Sequence, residues 1–399
     1  MRIPKLRFKE FSGEWEEKKL EKELKEYYLG SNYKNSENKT SFPLLKMGNL
    51  ERGKINLKKI EYIDESEIIL EKDKVKYGDL FFNTRNTPEL VGKVAIWRNE
   101  LPLMYFNSNL MKMTFDNNFF MNYKFNTKNM IEKLKSIATG TTSVGAIYTK
   151  DLLKLDLLIP NLQEQEKIAD FLSSVDKKIS ITEEKLNLFK DYKKGMMQKI
   201  FKQEIRFKDK NGNNYPDWEE KIFKNIFKIN QGLQIAISER FLEHSINRMF
   251  YITNEFLRKD SKIKYYIENP PENVICNKED ILMTRTGNTG EVVTDIDGAF
   301  HNNFFKINYD KNNFNKKFIC YVLKSTKIQN IILKFAGAST IPDLNHSDFY
   351  KIKSKFPCLE EQKKIADFLS SIDNKIENLS NELENLKDFK KGLLQKMFI

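Results

Sequence analysis

Cysteine and histidine are scarce in this 399-residue chain, with three of each. Cys276, Cys320 and Cys358 are odd in number and far apart, which excludes a disulfide framework. His244, His301 and His346 lack metal-ligand spacing, so a zinc site is not expected either. No apolar run approaches the roughly 18 residues of a membrane-spanning helix. Met1-Arg2-Ile3-Pro4-Lys5 leads into a charged segment rather than the apolar core of a signal peptide. The expectation is a soluble, cytoplasmic protein without membrane contact. The Gly-x-x-x-x-Gly-Lys-Ser/Thr phosphate loop and the Gly-x-Ser-x-Gly nucleophile turn are absent as well.

Two fragments imitate catalytic motifs. Asn269-Pro270-Pro271-Glu272 has the letters of the Asn-Pro-Pro-aromatic loop of amino-methyltransferases, but Glu272 replaces the aromatic that would stack on a flipped base. No glycine-rich cofactor loop precedes it and the first half of the chain has no equivalent, so it reads as a proline turn. Pro216-Asp217-Trp218-Glu219-Glu220-Lys221 holds the letters of a nuclease carboxylate motif. Metal chemistry needs that Asp to face the Glu-x-Lys across strands, and the counterpart Gly13-Glu14-Trp15-Glu16 lacks the Asp. Both read as tryptophan anchors at the edge of a domain. No enzyme site is visible, and neither a cofactor nor a metal is expected in this chain.

What is present is a duplication. The 42 residues Pro160–Phe201 recur without a gap at Pro357–Phe398, 197 positions later, with 24 identities. Within the first copy Ile168, Leu172, Val175, Ile179, Leu186 and Phe189 fall at heptad steps, continued by Thr182, Lys193, Met196 and Ile200. The second copy has Ile365, Leu369, Ile372, Ile376, Leu383 and Leu386 at the same steps, with Leu379, Lys390, Leu393 and Met397. This narrow seam, with outer faces of Lys, Glu, Asp and Asn, predicts a long helix that pairs through one stripe. Each helix would run roughly 60 Å at 1.5 Å per residue. Core helices of two domains are the plainer alternative. Pro160 and Pro357 suit the helix starts, whereas Gly195 and Gly392 are expected to fray or bend the last turns.

Around these blocks, 1–158 and 205–355 are mixed sequence of ordinary domain size. Alternating runs at Asp79–Phe82, Val91–Trp97 and Glu291–Thr294, with Gly and Asn turns between, predict strands of an α+β domain. Landmarks keep the halves in register: Arg7 and Trp15 with Arg206 and Trp218, Thr84-Arg85 with Thr284-Arg285, and Asn107-Ser108-Asn109 with His301-Asn302-Asn303. The stretch from Asp79 to Arg85 is one residue longer than that from Asp280 to Arg285, so the two turns should not present Arg identically. Between landmarks the halves diverge, so one scaffold carries two different surfaces. With 68 Lys and Arg against 56 Asp and Glu, the net charge of +12 favours polyanions such as nucleic acid.

The paired Pro-x-Leu-x-Glu-Gln-x-Lys-Ile-Ala-Asp-Phe-Leu blocks each follow a variable domain with an Asp-Leu/Ile…Arg turn and a Gly-Ser/Thr loop. With the opening Leu-Arg-Phe-Lys-Glu-Phe-Ser-Gly-Glu-Trp-Glu, the chain resembles the specificity subunits of type I restriction–modification enzymes along essentially its whole length. The resemblance implies two target-recognition domains, 1–158 and 205–355, each reading one half of a bipartite site in double-stranded DNA. It implies two repeat helices, 159–204 and 356–399, that pair as an antiparallel coiled coil with internal pseudo-two-fold symmetry. On the same resemblance they would serve as spacer and docking site for two modification (methyltransferase) subunits, with restriction (helicase-nuclease) subunits joining the complex. S-adenosylmethionine and ATP with Mg would then belong to those partners.

Reading base edges requires forked donors and acceptors, Arg to guanine and Asn to adenine. The candidates are Arg85-Asn86-Thr87 in the first half and Arg285, Thr286 and Asn288 in the second. Thr141, Thr142, Ser143, Ser339 and Thr340 would offer hydroxyls and amides to phosphates, which position rather than specify. Solvated loops capped by their own polar side chains are the alternative for each. Two rival functions remain, a coiled-coil scaffold without DNA contact and a stand-alone DNA methyltransferase or nuclease.

Overall fold

The computed structural model describes residues 2–140, 144–258, 261, 263–337 and 342–399. The chain divides into two units, residues 1–183 with 381–399, and residues 184–380. Each is built on the same α+β plan. In the first unit a four-stranded antiparallel sheet has the order Glu26–Leu29, Leu110–Thr114, Leu80–Asn83, Val94–Ile96. In the second the order is Phe227–Gln231, Phe304–Tyr309, Ile281–Thr284, Val292–Val293. The strands predicted at Asp79–Phe82, Val91–Trp97 and Glu291–Thr294 are the inner and edge strands of these sheets, shifted or shortened by one to three residues at their ends.

The central strands show why this sheet forms. Leu80 and Phe82 point into one core and Phe81 into another. In the second unit Ile281 and Met283 point one way and Leu282 the other. A strand buried on both faces is apolar throughout, because successive side chains alternate between the faces. One face is covered by helices Asn118–Phe125 and Lys128–Ser136, or by Lys316–Lys324 and Thr326–Ala336. Asn117, Thr127 and Asn315 start three of these helices, each side chain accepting from a backbone N–H in the first turn. A two-stranded ribbon, Glu16–Lys19 with Asp156–Ile159, or Glu219–Ile222 with Lys353–Phe356, leads from each domain into its long helix.

The long helices run Leu162–Phe201 and Leu359–Met397 without a break. Gly195 and Gly392 sit inside them rather than ending or fraying them. Buried residues just beyond, Ile200 and Met397, tie the last turns into the cores and offset the glycine cost of about 1 kcal/mol. In the first unit Ile168, Leu172 and Val175 share a core with Leu393, Met397 and Phe398. In the second, Ile200 shares one with Ile365, Leu369 and Ile372. The beginning of each helix thus packs with the end of the other, which is antiparallel pairing. All twelve seam residues from Ile168 to Phe189 and from Ile365 to Leu386 are buried or half-buried.

Candidate nucleic-acid interface

The duplicated motif holds each domain to its helices through buried carboxylates. Glu164 has no solvent exposure and accepts a bidentate pair from Arg7, Nε at 2.8 Å and Nη2 at 2.7 Å. The Trp15 indole N–H donates to the same carboxylate at 3.3 Å. Glu361 does the same for Arg206, at 3.2 and 2.7 Å, and for Trp218, at 3.1 Å. Forked geometry at a buried carboxylate makes strong hydrogen bonds, and the bond to Glu164 raises the pKa of Arg7 further. Gln165 and Gln362 each donate to the carbonyl of the proline five residues before, Pro160 and Pro357, which bends the strand into the helix start. Trp15 and Trp218 are therefore anchors, as the sequence suggested, and their partner is the Glu of the repeat.

Further along, Asp176 accepts from the Tyr123 hydroxyl at 2.8 Å and pairs with Lys390 at 2.6 Å. Asp373 accepts from Tyr321 at 2.7 Å and pairs with Lys193. One aspartate thus joins a domain helix and both long helices, and the two long helices exchange roles between units. Burial and the aspartate push both tyrosines well above the usual phenol range. Beside each site lies a lysine-rich groove. In the second unit it has a volume of about 560 Å³ and is lined by Lys190, Lys193, Lys194, Lys202, Lys324 and Lys327. In the first it is about 900 Å³, with Lys128, Lys135, Lys387, Lys390, Lys391 and one carboxylate, Glu132. Lys190, Lys193 and Lys194 are the repeat equivalents of Lys387, Lys390 and Lys391.

The candidate reading turns are less alike. Arg85 and Asn86 form a short strand paired with Gly145–Ala146. Arg85 and Thr87 are exposed and Asn86 is half-buried; Arg85 has no ion-pair partner among the described residues. Its backbone is fixed by Asn83, whose Oδ1 accepts the Arg85 N–H at 3.2 Å. Arg285 is instead clamped, with its Nη2 2.7 Å from Asp343 Oδ2 and its guanidinium 5.6 Å from the Phe305 ring. Thr286 Oγ1 donates to Asp343 Oδ1 and Asn288 is exposed. Gly287 has φ +87°, and a Cβ there would meet Asn254 Nδ2 at 2.8 Å, so this turn requires glycine. Thr141, Thr142, Ser143, Ser339 and Thr340 lie outside the described residues.

Pairing Arg85 with Arg285 does not survive the strand register. Asn83 lies opposite Leu110, and Thr284 lies opposite Phe304. Ile147 N–H donates to Thr84 O, and Leu344 N–H to Arg285 O. Thr84 is thus the equivalent of Arg285, and Arg85 that of Thr286. The extra residue that separates Arg85 from its strand moves the arginine to the next position, where Ala146 faces it instead of Asp343. The asparagine loops do join the turns: Asn109 O accepts from Thr84 Oγ1 at 3.2 Å, and Asn303 O from Arg285 N–H at 2.7 Å. At the crossing beneath, Gly30 and Gly232 pass so close to the carbonyls of Phe106 and Asn107, or Phe300 and His301, that no side chain fits. Sequence landmarks missed Asp343 and the two anchoring glutamates. The signal for the latter was the co-duplication of Arg, Trp and Glu.

Among the described residues no group of three or more His, Cys, Asp and Glu side chains is arranged to hold a metal ion, and no helix is long and apolar enough to cross a membrane. Residues 12–190 and 215–388 both match the type I restriction modification DNA specificity domain. A Methanocaldococcus jannaschii protein assigned by name to MjaX as type I restriction enzyme specificity subunit is 27% identical over 404 residues, spanning 96% of this chain and 93% of that protein. The MjaVIII specificity subunit of the same organism is 25% identical over 354 residues, spanning 83% and 78%. The S subunit of a type I restriction–modification system from M. genitalium has the same fold, with TM-score 0.65 at 16% identity over 100% of this chain and 99% of that one. The chain belongs to the type I restriction–modification specificity family, whose members are the DNA-recognition subunits of their complexes.

Proposed function

We propose that this chain reads an asymmetric, bipartite site in double-stranded DNA, one half with the turn at Arg85–Thr87 and the other with the turn at Arg285–Asn288. The observation that carries this is one scaffold folded twice with unlike turns at the same place. An identical pair of surfaces would suit a palindrome. Loops at Thr141–Ser143 and at Ser339 and Thr340 are assigned to phosphates on sequence grounds alone. Arg85→Ala should weaken or relax the first half-site alone, by about 1–3 kcal/mol for a bidentate contact to guanine. Competition binding with half-site variants measures this, and an equal loss at both halves would make Arg85 structural.

The chain itself is assigned no catalytic step. Methyl transfer from S-adenosylmethionine belongs to two modification subunits, and ATP- and Mg-dependent cleavage to restriction subunits, in the cytoplasm. The repeated helices support the reading of two partner copies, because a lysine-rich groove lies beside Tyr123 in one unit and beside Tyr321 in the other. Purified alone, the chain should transfer no labelled methyl group to DNA. With a cognate modification subunit it should direct methylation to one non-palindromic motif. Turnover by the chain alone would restore the stand-alone enzyme, and absence of any salt-sensitive DNA binding by the complex would restore the scaffold.

A further inference from the structure

In the second unit the carboxylate beside the candidate turn is more exposed than the arginine it pairs with. The Arg285 side chain is 16% exposed and that of Asp343 47%. The arginine lies against Phe305 and donates to Asp343 Oδ2, while Thr286 donates to Oδ1. The backbone beneath is equally fixed. Leu344 N–H donates to Arg285 O at 2.8 Å, and Thr289 Oγ1 donates to Arg285 O and Pro342 O at 3.0 and 2.8 Å. A carboxylate held at both oxygens keeps an unused lone pair on each, because each oxygen can accept twice. Its charge is matched by the guanidinium, which reduces the repulsion a bare carboxylate would meet beside phosphates. In the first unit Ala146, which carries no carboxylate, occupies this position.

We infer that Asp343 reads a base through its exocyclic amino group in the major groove, cytosine N4 or adenine N6, and that Arg285 and Thr286 are positioning residues for it. This rests on the reading that the turn at Arg285–Asn288 faces DNA. Guanine and thymine present only acceptors at the corresponding edge and are rejected by a carboxylate; cytosine and adenine present a donor. The pair Arg285–Asp343 therefore acts as one acceptor, whereas Arg85 across from Ala146 acts as a donor. The two half-sites are read with opposite hydrogen-bonding polarity.

The test is sequencing of methylated bases, with competition binding, for the complex of the full chain and its modification subunits. Asp343→Ala should abolish discrimination at one position of the second half-site, a loss of roughly 5- to 150-fold, and leave the first half-site unchanged. Whether that position holds cytosine or adenine distinguishes the two sources of the amino group. Asp343→Asn, which keeps the shape but offers a donor, should shift the preference toward bases with acceptors. Arg285→Ala should weaken binding while keeping the same preferred base. If the position relaxed by Asp343→Ala holds guanine, Arg285 is the reader and the inference is wrong. It is also wrong if Asp343→Ala leaves the motif intact while joint alanine replacement of Arg285, Thr286 and Asn288 changes it. If the joint replacement leaves the second half-site intact too, in a variant with unchanged thermal unfolding, the turn does not face DNA and the underlying reading fails with it.

Discussion

Glu164→Ala should cost the first unit about 3–5 kcal/mol, because it leaves the Arg7 guanidinium without its counter-charge in a site where the arginine side chain is 13% exposed. The Trp15 N–H, on a ring 1% exposed, loses its acceptor in the same step. Glu361→Ala should cost the second unit less. Arg206 is 21% exposed and has a second partner, Asp217 at 3.2 Å, with which to remain paired. Hydrogen exchange followed peptide by peptide, with urea titration of each variant, gives both numbers and assigns them to a unit. A cost below about 1 kcal/mol for Glu164→Ala would show that water or a rearranged side chain replaces the carboxylate. Glutamine at either position keeps an acceptor for the indole and should recover part of the loss, but not the charge-assisted part.

Leu172→Ala and Leu369→Ala should each cost about 2–5 kcal/mol, the range for removing a fully enclosed leucine from a core that cannot collapse around it. Both side chains have no exposure, and they are repeat equivalents that lie in the cores of different units. Leu188, on the same helix as Leu172 but off the seam, is 60% exposed. Leu188→Ala should change stability by no more than about 0.5 kcal/mol. Chemical denaturation of the three variants compares them directly. A cost at Leu188 equal to that at Leu172 would mean that the outer face of the helix is covered in solution.

The contrast between the helices and the turns shows where sequence reasoning is strong. A heptad seam is a local pattern. Its residues recur every three or four positions, and their burial follows from helix geometry whichever partner arrives. The same holds for Leu80, Phe81 and Phe82, whose unbroken apolar run marks a strand buried on both faces. The glycines at 195 and 392 misled because the penalty is also local, while the compensation is not: Ile200 and Met397 gain their burial from residues far along the chain. In the turns the one-residue offset was legible in the sequence, since Arg85 lies one position further from Asp79 than Arg285 does from Asp280. The hydrogen-bond ladders of Asn83 with Leu110 and Thr284 with Phe304 agree with it, and what the sequence did not show is which groups then face each arginine.

By itself, then, the amino-acid sequence determined the duplication, the two helices and their seams, the α+β character of the intervening domains and the family to which they belong. Each of these is written in spacing and repetition, which survive without knowledge of distant contacts. Tertiary structure alone decided that Glu164 and Glu361 close on Arg and Trp some 150 residues away, with sequence separations of 157 and 149 for Arg7 and Trp15. It alone decided that Asp176 meets Lys390, that Asp373 meets Lys193, and that Asp343 is more exposed than the Arg285 it pairs with. The physical reason is common to all of them. Charge pairing and exposure depend on which groups the fold brings within about 4 Å, and no local period in the chain records that proximity.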